Sequence, residues 1–278
     1  SNPLTARVLV NRLWHYHFGS ALVGTPNDFG VRGLPPTHPE LLDWLASRFV
    51  QDGWSLKKLH KRILLSHTYQ LASSEEPANL AADPDNHWRW RFNRRRIDAE
   101  SLRDTLLAVS GDLDWSPLNE PHPFPPPEKW EFTQHFPFKD HYPSRRRTVY
   151  LMTARLNALP FFQAFDGPDR NASTASRDSS VTTVQALYFL NSDFFHEQAD
   201  RFAGRLMDEA AENAARMERA FALIFHRLPS AEERTRLENY LELARGKMAG
   251  TEPEKWERAA WASLARALFR TNEFLYLD

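Results

Sequence analysis

Residues 4–18 read LTARVLVNRLWHYHF and stop at Gly19, and this stretch decides the fold class. Apolar residues crowd it at helical spacing, and a glycine stands where a helix wants its C′ residue. Arg7, Asn11 and His15 recur every four residues and form one polar stripe. The same pattern continues outward along the chain. Thr37-His38-Pro39-Glu40 reads as a capping box with proline in the first turn. It opens a helix that carries Leu41, Leu42, Leu45 and Phe49 and ends near Gly53. Ser55 caps the next helix, with Leu59, Ile63 and Leu64 turned inward. Further helices are predicted over 97–109, closed by Gly111, and over 184–206, 213–227, 231–246 and 254–270. Ser230-Ala231-Glu232-Glu233 supplies a second capping box. Thr148–Met152 is the best strand candidate. The predicted fold is mainly α: a multi-helical single domain over 1–278 with at most a minor strand pair.

Composition narrows the function. The 278 residues are enough to bury a sizeable core, and 42% hydrophobic with 26% charged residues is ordinary globular composition. Lys and Arg number 35 against 36 Asp and Glu, a net charge of −1. That excludes a grossly basic nucleic-acid binder, though not a local basic patch, and no nucleic-acid partner is expected. Cysteine is absent, which excludes disulfides, thiolate metal sites, a cysteine nucleophile and covalently held c-type haem on this chain. No stretch approaches the roughly 20 apolar residues of a membrane helix, so no membrane partner is expected. Ser1–Thr5 lead straight into a helix, so no signal peptide is expected here.

Residues 117–143 interrupt the helical pattern. Eight of the 19 prolines lie there, and proline fixes φ and removes a backbone donor, so the segment is predicted as a loop inserted in the domain. It also carries Phe124, Trp130, Phe132, Phe136, Phe138, Tyr142 and three histidines. The plain reading is that these aromatics anchor the loop to the core; the sharper one is a lid or stacking platform for sugar rings, with Trp130 as a binding residue. A second loop, 166–180, is rich in Asp, Ser, Thr and Arg.

The densest charged cluster is Arg94 to Asp104. On a helix, Arg96, Glu100, Arg103 and Asp104 would share one face. Glu100 and Asp104, one turn apart and flanked by guanidiniums, could form an acid/base pair, with Asp166 a third carboxylate. Arg96, Arg103 and Arg177 could hold an anionic substrate through forked donors, and Asn11 and His15 could line a binding face. The bland alternative is a structural ion network. Arg145-Arg146-Arg147, Arg155, Asp169 and Arg170 extend the basic theme, in a chain where Arg outnumbers Lys 28 to 7. Coding-sequence bias explains that ratio as well as anion recognition does. Trp88 and Trp90 flank the first basic run, which makes base stacking conceivable. His15 and His17 are two apart on a helix and point apart, and no metal-ligand spacing occurs, so no metal site is expected. Nucleophile-elbow, phosphate-loop and dinucleotide-binding motifs are also absent.

A family resemblance runs through these residues. Asn2-Pro3-Leu4-Thr5-Ala6-Arg7-Val8-Leu9-Val10-Asn11-Arg12-Leu13-Trp14, Thr25-Pro26-Asn27-Asp28-Phe29-Gly30, His38-Pro39-Glu40-Leu41-Leu42-Asp43-Trp44-Leu45 and Gly53-Trp54-Ser55-Leu56-Lys57 follow in order. Ser66-His67-Thr68-Tyr69, Asp83-Pro84-Asp85-Asn86, Arg94-Arg95-Arg96, Arg103-Asp104, Arg146-Arg147-Thr148-Val149-Tyr150, Gln185-Ala186-Leu187 and Asn272-Glu273-Phe274-Leu275-Tyr276 continue it. The string resembles the planctomycete-specific domain one family, a domain of unknown function, over essentially the whole chain. Thr183 departs from the pattern, where a proline is expected before Gln-Ala-Leu, and 117–143 has no counterpart. The resemblance implies a C-terminal module of an exported, periplasmic or extracellular bacterial protein. It would stand beside further domains, with any haem on a c-type cytochrome-like module outside this chain and no cofactor on it. It points first to an accessory, interaction or glycan-binding role, and second to an enzyme acting on an extracellular polysaccharide through Glu100, Asp104 and Asp166.

Overall fold

The computed structural model describes residues 2–116, 144–153, 158–177, 179–248 and 253–277. The fold is mainly α, with one two-stranded sheet pairing β1 (Arg95–Arg96) with β2 (Tyr276–Leu277). No described helix is long and apolar enough to cross a membrane. The chain forms two compact units, residues 1–95 with 277–278, and residues 96–276.

The first unit is built on α1 (Pro3–Phe18), α2 (Pro39–Gln51), α3 (Leu56–Leu64) and the short α4 (Pro77–Ala82). Asn2 caps α1, its side chain accepting from the Leu4 N–H, Pro3 fills the first turn, and Gly19 ends the helix at φ 73°. Val10, Trp14 and Phe18 on α1 meet Leu42, Leu45 and Phe49 on α2 and Leu59 and Ile63 on α3. Each such side chain, fully buried, contributes roughly 1.5–3 kcal/mol. Leu64 points outward, 39% exposed, because Leu59 and Ile63 already fill the inner face. The capping box read at Thr37 does not form. His38 is the N-cap without a side-chain bond, and the Thr37 hydroxyl instead donates to the Leu22 carbonyl. Ser55 does cap α3.

The second unit holds α5 (Ala99–Ser110), α6 (Pro160–Ala164), α7 (Thr183–Asn191), α8 (Asp193–Glu209), α9 (Asn213–Ile224), α10 (Ala231–Met248), α11 (Pro253–Leu268) and α12 (Asn272–Leu275). Helix α8 is central and packs on α5, α7, α9 and α11. Ala199 and Ala203 on α8 and Ala260 and Ala265 on α11 are all buried. Small residues on both partners permit close approach, and Phe195, Phe202, Trp261 and Phe269 fill the space beside them. The single helix predicted over 184–206 is two. The chain leaves helical φ/ψ at Ser192, which closes α7 and caps α8 through its hydroxyl. Thr183, the departure from the family pattern, is the first residue of α7, a position where proline is also favoured. Thr148–Tyr150 is a 3-10 turn rather than a strand, because the Asp104 carboxylate takes the backbone N–H that a ladder would use. The capping box at Ser230 and Glu233 forms reciprocally.

Candidate functional site

The charged cluster lies in the second unit, where residues 165–177 and 179–182 meet the first turn of α5. Arg96 is not on the helix: α5 starts at Ala99 behind the N-cap Asp98, and Arg96 belongs to β1. Its guanidinium lies 5.4 Å from the Phe165 ring centre and donates to the Ser180 carbonyl and, at 2.6 Å, to Gln185 Oε1. Gln185 is buried, and it also makes the capping box of α7 with Thr182. Asp166 sits in the left-handed region at φ 58°. Its carboxylate accepts from the Ser180 N–H at 2.8 Å, from the Ser180 hydroxyl at 2.7 Å and from Gln185 Nε2 at 3.4 Å. The turn is crowded: a Cβ on Gly167 would lie 2.6 Å from Phe162 Cβ. Glu100 faces Arg177, which donates from Nη2 at 2.5 Å and Nη1 at 3.2 Å. Arg170 lies near enough to feel the Glu100 charge, though burial dominates and lowers its pKa.

Asp104 has a different surrounding. It accepts from the Thr148 N–H at 2.7 Å and the Thr148 hydroxyl at 2.6 Å. The neighbouring Arg103 is buried and pins residues 144–148 by donating to the Ser144 and Arg146 carbonyls and to Thr148 Oγ1. Burial pushes the Arg103 guanidinium down from its ordinary value, against the pull of Asp104. The basic run finds acids one by one: Arg145 with Asp112 at 3.3 Å, Arg146 with Asp114 at 3.4 Å, Arg147 with Asp104 at 4.0 Å. The structure thus joins Arg96 with Asp166 through Ser180 and Gln185, and Glu100 with Arg177. It joins Arg103 and Asp104 around Thr148. Each carboxylate proposed for chemistry is already an acceptor in a bond that fixes a loop.

Asn11 and His15 belong to the first unit. Asn11 is fully buried and brackets Val23, donating to its carbonyl at 3.0 Å and accepting from its N–H at 2.8 Å. His15 is held below its ordinary pKa by burial and by Arg95. His17, also lowered by burial, His60 and Arg95, hydrogen-bonds His60 across 2.7 Å. Arg7 pairs with Asp43, so two members of the polar stripe of α1 make local contacts, whereas the buried His15 Nδ1 has no hydrogen-bond partner among the described residues. Trp90 is tied to the Asp83 carbonyl through its indole N–H, whereas Trp88 is largely exposed.

Sequence reading overlooked Ser180, Gln185 and Thr148, the hydrogen-bond partners of Asp166 and Asp104. The Thr182…Gln185 spacing of a capping box was a usable signal for one of them. Trp130, Arg155 and the rest of 117–143 lie outside the described residues. Among the described residues no group of three or more His, Asp or Glu is arranged to hold a metal ion. No curated protein and no solved structure matches the chain. Residues 1–241 match the family model PSD1, described as a protein of unknown function (DUF1553). With most of its length covered by that match, the chain belongs to the PSD1 (DUF1553) family of proteins of unknown function.

Proposed function

We propose that this chain is a non-catalytic binding module rather than a hydrolase. The observation that carries the reading is the state of the three carboxylates. Acid/base hydrolysis of a glycoside needs two carboxyl groups facing a shared gap, one able to give a proton and one to take it or attack. Glu100 is closed on Arg177, Asp166 accepts from Ser180 and Gln185, and Asp104 accepts from Thr148. Each engagement fixes the position of a loop, which is a structural task. On the same reading the module works within an exported bacterial protein, beside neighbouring domains and a haem-bearing module, and presents a surface to a glycan or to those domains; the family resemblance supports this setting.

The test is release of reducing ends from acidic and neutral polysaccharides by the full chain and by Glu100→Gln. The reading expects no turnover from either protein. Turnover by the unaltered chain that Glu100→Gln abolishes, with its melting temperature unchanged, would replace the reading with the enzymatic one.

A further inference from the structure

The first unit carries a second cluster of cations around Trp44, in which Arg62 is ion-paired with Asp52 while Arg48 and Lys58 are exposed. Trp44 on α2 is half-exposed, and two guanidinium carbons lie over its ring, Arg48 at 5.7 Å and Arg62 at 5.7 Å. Arg48 follows Trp44 by one turn on α2, whereas Arg62 reaches over from α3. Both distances are within the range of cation–π attraction, which orients the forks beside the indole. One nitrogen of each fork is anchored: Arg48 Nη1 donates to Gln51 Oε1 at 3.2 Å and Arg62 Nη1 to Asp52 Oδ2 at 2.8 Å. A guanidinium has five N–H donors, so each fork keeps others to offer. Lys58 precedes Arg62 by one turn on the same face of α3. That helix, LKKLHKRIL, holds four Lys and Arg and no acid.

The charge is uneven over a longer range too. Residues 1–95 with 277–278 contain 12 Lys and Arg against 9 Asp and Glu, whereas residues 96–276 contain 23 against 27. The unit with the exposed indole is the positive one, in a chain whose net charge is −1.

We propose that the Trp44 face of α2 and α3 binds an acidic polysaccharide. Arg48 and Arg62 take its carboxylate or sulfate groups through their forks, and Lys58 takes the neighbouring charge. The Gln51 amide and the indole edge meet sugar hydroxyl and C–H groups. Single-stranded nucleic acid fits less well, since it stacks bases on open ring faces and here guanidiniums lie over the ring. A bilayer surface fits less well because two guanidiniums lie over the indole that would have to insert. The inference rests on the binding-module reading and gives it a place and a ligand class.

The experiment uses the full chain at low ionic strength, with heparin as the sulfated probe and polygalacturonate as the carboxylated one. Calorimetry compares the unaltered protein with Arg48→Ala/Lys58→Ala and with Trp44→Ala. A control pair, Arg32→Ala/Lys247→Ala, removes the same charge elsewhere. Binding to either probe is expected, weakened about tenfold by the Arg48/Lys58 pair and changed less than about twofold by the control. The exposed pair is expected to melt like the unaltered protein, so its loss of binding reports the surface even if Trp44→Ala folds poorly. Three results would overturn the proposal: no binding to either probe, equal weakening by the control pair, or tighter binding to oligo-dT or phosphatidylglycerol vesicles. Binding accompanied by release of reducing ends would instead sink the non-catalytic reading and leave this surface standing.

Discussion

Arg177 closes on Glu100 with both ends of its fork, at 2.5 Å and 3.2 Å, and so ties a loop to the first turn of α5 across 77 positions of sequence. Both side chains are about a third exposed, so solvent screens the pair. Glu100→Gln keeps the shape and removes the charge. It is expected to cost about 1 kcal/mol, a fall in Tm of about 2–4 °C, readable by calorimetry. An unchanged Tm would mean that the pair holds nothing in place.

Asn11 is the more severe position. Its amide completes both hydrogen bonds of the Val23 peptide groups inside the first unit. Asn11→Ala leaves a buried donor and a buried acceptor without partners, each costing about 1–3 kcal/mol. The urea midpoint of the transition that involves the first unit is expected to fall by an amount matching about 2–4 kcal/mol. A loss below about 0.5 kcal/mol would show that water replaces the amide without penalty.

Two glycines separate packing from chain entropy. A Cβ at Gly167 would lie 2.6 Å from Phe162 Cβ and 2.7 Å from the Phe162 carbonyl oxygen, so Gly167→Ala should cost about 1–3 kcal/mol. Gly246 lies inside α10 with open space around it, and Gly246→Ala should gain about 0.5–1 kcal/mol. Thermal melts of the two variants should therefore move in opposite directions. A shared direction would contradict the account of either turn or helix.

Acid should act through Glu233. The hydrogen bond from Arg227, helped by those from Ser230, lowers its pKa from an ordinary 4.5 to about 2, against the opposing effect of burial. A carboxylate with a depressed folded pKa binds fewer protons folded than unfolded. Its stabilising contribution is therefore complete above about pH 4.5 and disappears as pH falls through about 2. The Tm difference between the unaltered protein and Glu233→Gln should be present at pH 6 and close between pH 4.5 and 2. A difference independent of pH would assign the effect to shape rather than charge.

Much of the fold was legible because its signals are local. Gly19 and Gly111 end helices at positive φ, Ser55 and Ser230 cap them, and the apolar spacing of Leu59 and Ile63 sets an inner face. What escaped depended on local choices that periodicity does not mark, or on contacts far apart in sequence. The break at Ser192 follows from one hydroxyl choosing the next helix over the last, and no periodicity marks it. Arg96 has helical spacing to Glu100, yet strand pairing and Asp98 as N-cap take it off the helix. The carboxylates were found and a structural network was one reading of them, but their hydrogen-bond partners were not found. The partners of Asp104 and Asp166 lie 44 and 14 positions away, and only the folded chain brings them together.

Whether the Asp166 carboxylate holds the loop in place is read from the stability of Asp166→Ala. The substitution removes the acceptor of the Ser180 N–H, the Ser180 hydroxyl and Gln185 Nε2, and leaves alanine at φ 58°. The unfolding free energy measured in urea is expected to drop by about 2–4 kcal/mol. A drop below about 0.5 kcal/mol would mean that the carboxylate is not needed for the fold, and would contradict the account.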